Sequence, residues 1–334
     1  MDSVNIITPE VEVITELPSA EKLTEYVGRV CYNSYDKIIN NSYIKFNYSG
    51  AKKGHRSIFE FNQLKISLSV PDIESDSIYG ILDECSPFIE YETQHNGIDV
   101  DNVQQNIIHI YGSIRAFIEL LEKYIDGSMQ DAWSINVFGI IYEACKLHGY
   151  NILTGWPTYT ELNEFYNNIC SFSTLKYESV SSDITGHIKS KSRFKKLLVK
   201  IVSDKGVHNE MVRHRPCSFM AESQRYVRYG GKNNKTPLPV CIASKHAKNA
   251  DYVRYVKESS ELSFNAYKNL LNSGFSPQLA RAVLPVGTAM TYFVYANIKE
   301  WEHIFRLRTA KPALPMMQEI TKEIRDKFIN KGLI

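Results

Sequence analysis

A chain of 334 residues is long for one compact core and short for three, so one large domain with an elaboration, or two domains, is expected. Its 43% hydrophobic and 23% charged residues are those of an ordinary soluble globular protein and exclude a disordered chain. The formal charge is +2, from 39 basic and 37 acidic residues, so no uniform basic field marks long nucleic acid as a partner and any anion binding must be local.

The opening "MDSVNIITPEVEVITEL" lacks a basic segment followed by an apolar core. No later run approaches the ~18 apolar residues that span a bilayer. A cytoplasmic protein with no membrane partner is the expectation. Cys31, Cys85, Cys145, Cys170, Cys217 and Cys241 have no paired short spacings, as suits free thiols in a reducing compartment. His208, His214 and Cys217 are close in sequence, but no fourth ligand stands at a matching spacing, and no metal is assigned.

Residues 58–70, "IFEFNQLKISLSV", alternate Phe59 and Phe61, then Ile66, Leu68 and Val70, the period of a half-buried antiparallel strand with an irregularity near Asn62 and Gln63. Residues 70–193 then read as an inserted, mainly helical segment of unassigned role. Within it "IYGSIRAFIELLEKYI" sets Ile110, Ile114, Phe117, Ile118, Leu121 and Ile125 on one helical face. "PTYTELNEFYNNI" is a second helix, and "ESVSSDITGHIKSKS" is a loop returning to the core. "KLLVKIVSD", 196–204, is a strand that stops at Lys205-Gly206, after which Val207, Met211 and Val212 fit one side of a short helix.

The last third is mainly helical. Residues 246–273 form a long helix broken at Gly274, and "SPQLARAVLP" offers Ser276 as a cap, Pro277 at the first helical position and Pro285 as a stop. "MTYFVYAN" is rich in strand formers, and Asn297 can cap "IKEWEHIFRLR". The final helix, 315–329, has Met317, Ile320, Ile324 and Phe328 as its inner stripe.

Chemistry concentrates in "VRHRPCSFMAESQRY", 212–226. Arg213 and Arg215 are two positions apart, so on a helix they point about 200° from one another. Either one faces solvent, or two anionic groups approach from different sides. Ser223 and Arg225 follow at a distance that lets a loop fold back with a hydroxyl and another guanidinium, a pattern suited to phosphate oxygens. In "WEHIFRLR", Trp301, Ile304, Phe305 and Arg308 fall at i, i+3, i+4 and i+7, which puts Arg308 on the apolar face. A buried guanidinium must be paired, here with a structural carboxylate or with a ligand. Arg281 in "LARAVLP" is a similar, weaker case.

"RHRPCSFMAESQRY" resembles the signature of the flavin-dependent thymidylate synthases, Arg-His-Arg followed by seven residues and a Ser. Its flank "GVHNEMV" and four further blocks agree in order: "GRVCYNS" near the start, "GHRSIFEF" at 54–61, "ARAVLP" at 280–285, and 296–308 from "AN" through "HIFRLR". A lone Arg-His-Arg is weak; five ordered blocks are not.

The resemblance implies an α+β homotetramer, an antiparallel-type sheet flanked by helices, with active sites between subunits. Residues 1–69 and 194–334 would form the catalytic domain. It implies FAD as cofactor, with NADPH and 5,10-methylenetetrahydrofolate as co-substrates, and transfer of a one-carbon unit to C5 of dUMP without a cysteine nucleophile. Carried over by position, Arg213, His214 and Arg215 would contact flavin. His55, Ser57 and Glu60 would lie at the flavin and folate edge, and Asn297, Lys299 and His303 would add flavin contacts, Lys299 standing where some members have Arg. Glu210, Arg213, Glu222, Ser223, Arg225, Arg281 and Arg308 would bind dUMP. Arg308, Ser223 and His55 would serve catalysis, Arg308 by favouring the ionised N3 of the pyrimidine electrostatically.

Three residues depart from the family pattern. Ala221 replaces a Glu or Gln, with Glu222 adjacent; Cys31 stands where Ser is common; Phe61 replaces a His. Taken singly, Ser223 reads equally as a turn cap, His55 as a polar residue beside a strand and His303 as a solvated helix position. A rival reading is a member of the same family with reduced catalysis that binds nucleotides or RNA.

Overall fold

The computed structural model describes residues 3–15, 19–72, 75–83, 89–98, 104–126, 132–169, 177–181, 196–230 and 237–334. In chain order the elements are β1 (Val4–Ile7), β2 (Glu10–Ile14), α1 (Ala20–Gly28), α2 (Ser42–Lys52), β3 (Gln63–Pro71) and α3 (Ser75–Asp83). Next come β4 (Ile89–Ile98), β5 (Gln104–Ser113), α4 (Ile114–Ile125), α5 (Ala132–Leu153), α6 (Tyr159–Ile169) and β6 (Tyr177–Ser181). Last come β7 (Lys196–Asp204), α7 (Lys205–Met211), β8 (Ser218–Ala221), β9 (Leu238–Cys241), α8 (Ala250–Asn272), α9 (Pro277–Ala280), β10 (Ala289–Asn297), α10 (Ile298–Arg308) and α11 (Pro315–Asn330). The chain is therefore α+β.

The chain divides into two compact units: Met1–Thr15 with Gly28–Asp36 and Ile188–Ile334, and Glu16–Val27 with Lys37–His187. Residues 37–69, assigned from the sequence to the catalytic segment, are grouped here with the chain that follows them.

In the first unit an antiparallel sheet runs β2-β7-β10-β8, and β1 pairs with β9 in parallel. β10 lies between β7 and β8, which is why "AMTYFVYAN" is apolar on both faces: Tyr292, Phe293, Val294 and Ala296 are all wholly buried. β7 occupies the expected residues and ends where the Asp204 side chain accepts the Val207 N–H at 2.6 Å, capping α7. Asn297 does the same at the end of β10, accepting from the Glu300 N–H at 2.8 Å. Gly274, at φ +87°, stops α8 in the left-handed conformation, with Phe275 N–H donating back to the Leu270 carbonyl at 3.1 Å.

Ser276 sits at the cap position of α9, but its side chain makes no cap bond, and only four residues are helical before a 3₁₀ turn at Arg281–Val283. The stripe Met317, Ile320, Ile324 and Phe328 on α11 is fully buried. Phe328 meets Trp301 and Phe305 of α10 edge-on at centroid distances of 5.4 and 5.7 Å. Burying such side chains contributes roughly 1.5–3 kcal/mol each.

In the second unit the antiparallel sheet runs β4-β5-β3-β6, and α5 packs against α2, α4 and α6. Two sequence expectations are corrected here. Residues Arg56–Phe61 form a 3₁₀ helix and the strand begins only at Gln63. At three residues per turn Ile58 and Phe61 share a face, and a short aromatic run satisfies both periods. The helix expected from Ile110 starts at Ile114, because the Ser113 hydroxyl accepts the Ala116 N–H. Ile110 belongs to β5, opposite Ile66 and Tyr91. The described part of segment 70–193 is mainly helical, as expected, and also holds β4, β5 and β6. Most of the loop read at 178–192 lies outside the described residues, as do Cys85 and Cys170. Among the described residues, no helix is long and apolar enough to cross a membrane.

Candidate functional site

The Arg-His-Arg run is not helical. α7 ends at Met211 and residues 212–217 turn into β8, so the helical geometry considered for the two arginines does not apply. His214 is buried while Arg213 and Arg215 are exposed. The turn is held by His214 N–H to the Met211 carbonyl and Cys217 N–H to the His214 carbonyl, each 3.1 Å. Among the described residues neither Arg213 nor Arg215 has an ion-pair partner, which leaves two cations flanking one inward imidazole.

Arg308 closes onto this turn from the last turn of α10. Its Nη1 lies 2.9 Å from Glu210 Oε2, its Nη2 donates to the Glu210 carbonyl at 3.0 Å, and its Nε donates to His214 Nε2 at 3.0 Å. The partner left open by the sequence is thus a carboxylate 98 positions away. A guanidinium has five N–H groups; with three engaged here, two remain. On the far side of the ring, His214 Nδ1 is 3.2 Å from Glu300 Oε1. Burial first, and the Arg308 charge second, hold the His214 pKa below its ordinary value, with Glu300 opposing. The imidazole is therefore neutral at pH 7, as an Nε2 acceptor must be.

Ser223 lies on the loop after β8. Its N–H donates to the Cys31 carbonyl at 3.1 Å, its carbonyl accepts from Tyr226 and Val227, and its hydroxyl accepts the Arg225 N–H at 3.4 Å. These bonds give Ser223 the turn-capping role that its sequence allows. Arg225 is exposed and donates through Nε to Gln278 Oε1 at 3.1 Å. Glu222 is buried and accepts from the Tyr229 hydroxyl at 3.0 Å. Arg281 is half-buried. Lys299 is exposed, and His303, half-buried, accepts from Arg306 at Nδ1 at 2.8 Å.

His55, Ser57 and Glu60 lie in the second unit, on the 3₁₀ segment before β3. His55 and Ser57 are exposed, while Glu60 is ion-paired with Arg115 Nη1 at 2.5 Å. The first unit also holds a cavity of about 580 Å³ lined by Asp204, Val207, Cys241, Tyr252, Pro285 and Met316 among others. None of the predicted site residues lines it.

Residues 193–331 match the family model described as "Thymidylate synthase complementing protein". A probable flavin-dependent thymidylate synthase of Paramecium bursaria Chlorella virus 1 is 24% identical over 148 residues, 40% of this chain and 67% of the relative. A flavin-dependent thymidylate synthase of Pyrobaculum aerophilum is 33% identical over 95 residues, 28% of this chain and 32% of the relative. Residues 193–331 are thus similar to flavin-dependent thymidylate synthases, over less than half of the chain. These relatives are matched over about a third to two thirds of their own length. A solved UMP/dUMP methylase from Streptomyces cacaoi overlaps the chain only weakly, with a TM-score of 0.35 and 21% identity over 44% of this chain and 74% of that one.

The matched segment contains Glu210, the Arg-His-Arg turn, Ser223, Arg281 and Arg308. The blocks at 28–34 and 54–61 lie ahead of it. Within it, sequence reasoning passed over Glu300. A Glu in a first helical turn is an ordinary partner of the helix dipole, and only the fold brings it to His214. His214, Glu300 and His303 have the composition of a metal triad. The hydrogen bonding opposes one: a metal on Nδ1 would put the ring proton on Nε2, against the Arg308 N–H. Burial raises the Cys31 thiol to about 11 and the Cys217 thiol further, so neither is an activated nucleophile within this family segment.

Proposed function

We propose that the protein is a flavin-dependent thymidylate synthase that forms dTMP from dUMP, taking its one-carbon unit from 5,10-methylenetetrahydrofolate and hydride equivalents from NADPH through FAD. The single observation that carries this reading is the junction of Arg308 with Glu210 and His214, which joins two motifs of the matched segment and leaves guanidinium N–H groups for an anionic ligand. FAD, when bound, supplies the hydride chemistry that no side chain here can perform. The unpaired cations of Arg213 and Arg215 suit an anionic cofactor, and these residues with His214, Asn297, Lys299 and His303 would hold it.

The nucleotide falls to Arg213, Glu210, Glu222, Ser223, Arg225, Arg281 and Arg308. Arg308 would stabilise negative charge on the pyrimidine and so raise the nucleophilicity of C5 by electrostatics, with no covalent bond from a cysteine. The raised thiol pKa values support that division of labour. His55, Ser57 and Glu60 are assigned to the flavin and folate edge by the sequence resemblance alone. A homotetramer with shared sites is part of the same reading.

Purified protein tests this directly. It should take up FAD with a yellow colour, and dUMP should perturb the flavin absorption band. Colourless protein that neither takes up FAD nor binds dUMP would favour an unrelated role for the segment. RNA binding without flavin would favour the catalytically reduced reading.

A further inference from the structure

One ring is held between the two ends of one helix. Glu300 stands in the first turn of α10 and Arg308 at its end, about 12 Å apart along the axis, and both side chains reach His214. The groups facing this imidazole are Arg308, Glu300 and His303. Arg308 can only donate, because a guanidinium has no acceptor, so Nε2 must carry a lone pair. A neutral imidazole with Nε2 unprotonated has its hydrogen on Nδ1, and the Nδ1 atom is 3.2 Å from Glu300 Oε1. The other tautomer would set N–H against N–H at Arg308 and leave a lone pair facing a carboxylate. The imidazolium would satisfy Glu300 but oppose Arg308. Only one of the three states satisfies both neighbours.

We infer that Glu300 is a positioning residue of the nucleotide site: by accepting the Nδ1 proton of His214 it keeps the Nε2 lone pair on Arg308, and so holds that guanidinium in place with two N–H groups to spare. The carboxylate is itself fixed. Glu300 N–H is capped by Asn297 Oδ1 at 2.8 Å, and the Glu300 and His214 side chains are only 13% and 5% exposed. The positioning role rests on the reading of Arg308 as a nucleotide ligand, whereas the tautomer can be observed with no ligand at all.

The test compares wild type, Glu300→Gln and Glu300→Ala as full chains with ¹⁵N-labelled histidine, the His214 signals being identified by their loss in His214→Gln. The Nδ1–H pattern is expected in wild type and in Glu300→Gln, whose amide oxygen still accepts, and it should be lost in Glu300→Ala. The Kd for dUMP should rise roughly tenfold or more in Glu300→Ala, the scale of one charged hydrogen bond, and stay near wild type in Glu300→Gln. An Nε2–H pattern in wild type, or an unchanged tautomer in Glu300→Ala, overturns the assignment. A tautomer that changes while dUMP affinity does not overturns the positioning role. A wild-type chain with the Nδ1–H pattern but no dUMP affinity overturns the nucleotide reading and leaves the tautomer standing.

Discussion

At the scale of single residues, Arg308 is the centre. A guanidinium with 19% of its side chain exposed gives more to a ligand than a surface charge, since less solvent competes for its hydrogen bonds. Arg308→Ala should keep the fold and lower kcat/KM for dUMP by roughly a hundredfold, about 2.7 kcal/mol. Arg308→Lys should fail to restore it, because one ammonium cannot reach Glu210 and His214 as a planar fork does. Steady-state kinetics on folded variants checks both. His214 carries a second prediction. Its folded pKa lies below the ordinary 6.5, so the unfolded chain takes up its proton first. The stability it contributes is present above 6.5 and is lost as pH falls from there toward the folded value. His208 acts in the same direction, while the raised Asp204 and Glu21 carboxyls act oppositely. The difference between wild type and His214→Gln therefore isolates one group. Urea melts between pH 7 and 5.5 should show a shallower loss in the variant, by at most about 1.4 kcal/mol per pH unit. The inward turn of Arg308 was legible because i, i+3, i+4 and i+7 place it among Trp301, Ile304 and Phe305. Its partner was not, since a contact spanning 98 positions leaves no local trace.

At the scale of elements, caps and close approaches decide. Asn297 ends β10 and starts α10 with one side-chain oxygen. Asn297→Ala should cost about 1 kcal/mol and Asn297→Asp should restore it, measured by chemical denaturation. In the second unit a Cβ on Gly155 would lie 2.6 Å from the Tyr48 carbonyl oxygen. Gly155→Ala should then destabilise by roughly 1–3 kcal/mol, since a backbone atom cannot swing aside as a side chain can. Elements with their own punctuation were readable in the sequence: β7 between its charged ends, α7 behind Asp204, α8 up to Gly274, and α11 from its four-residue stripe. Misreading occurred where one apolar run serves two periods. Ile110 and Ile114 belong to a strand and a helix divided only by Ser113, and Phe59 and Phe61 alternate within a 3₁₀ turn. Strands β4 and β5 went unread because polar and charged residues such as Glu90, Glu92 and His95 hide their alternation, and pairing partners lie far along the chain.

At the scale of the whole molecule, the order of motif blocks told more than any single block. The Arg-His-Arg turn, the Arg281 segment and the Arg308 helix all lie in one unit and one family segment, as their order predicts. The grouping of residues 37–69 with the second unit was not readable, because it rests on contacts with later chain, β3 pairing with β5 and β6 and α2 packing on α5. If dUMP binds the folded chain alone, it should raise Tm, by the equivalent of about 2.7 kcal/mol at a hundredfold excess over Kd. Arg308→Ala should erase that shift, which thermal melts with and without dUMP will reveal.

The most direct measurement is tritium release from dUMP labelled at C5, with FAD, NADPH and 5,10-methylenetetrahydrofolate supplied. Wild-type protein should release tritium to water only when flavin, reductant and folate are all present, and Arg308→Ala should release almost none. No release from wild-type protein that has taken up FAD and dUMP, or equal release from the Arg308→Ala protein, would contradict the account.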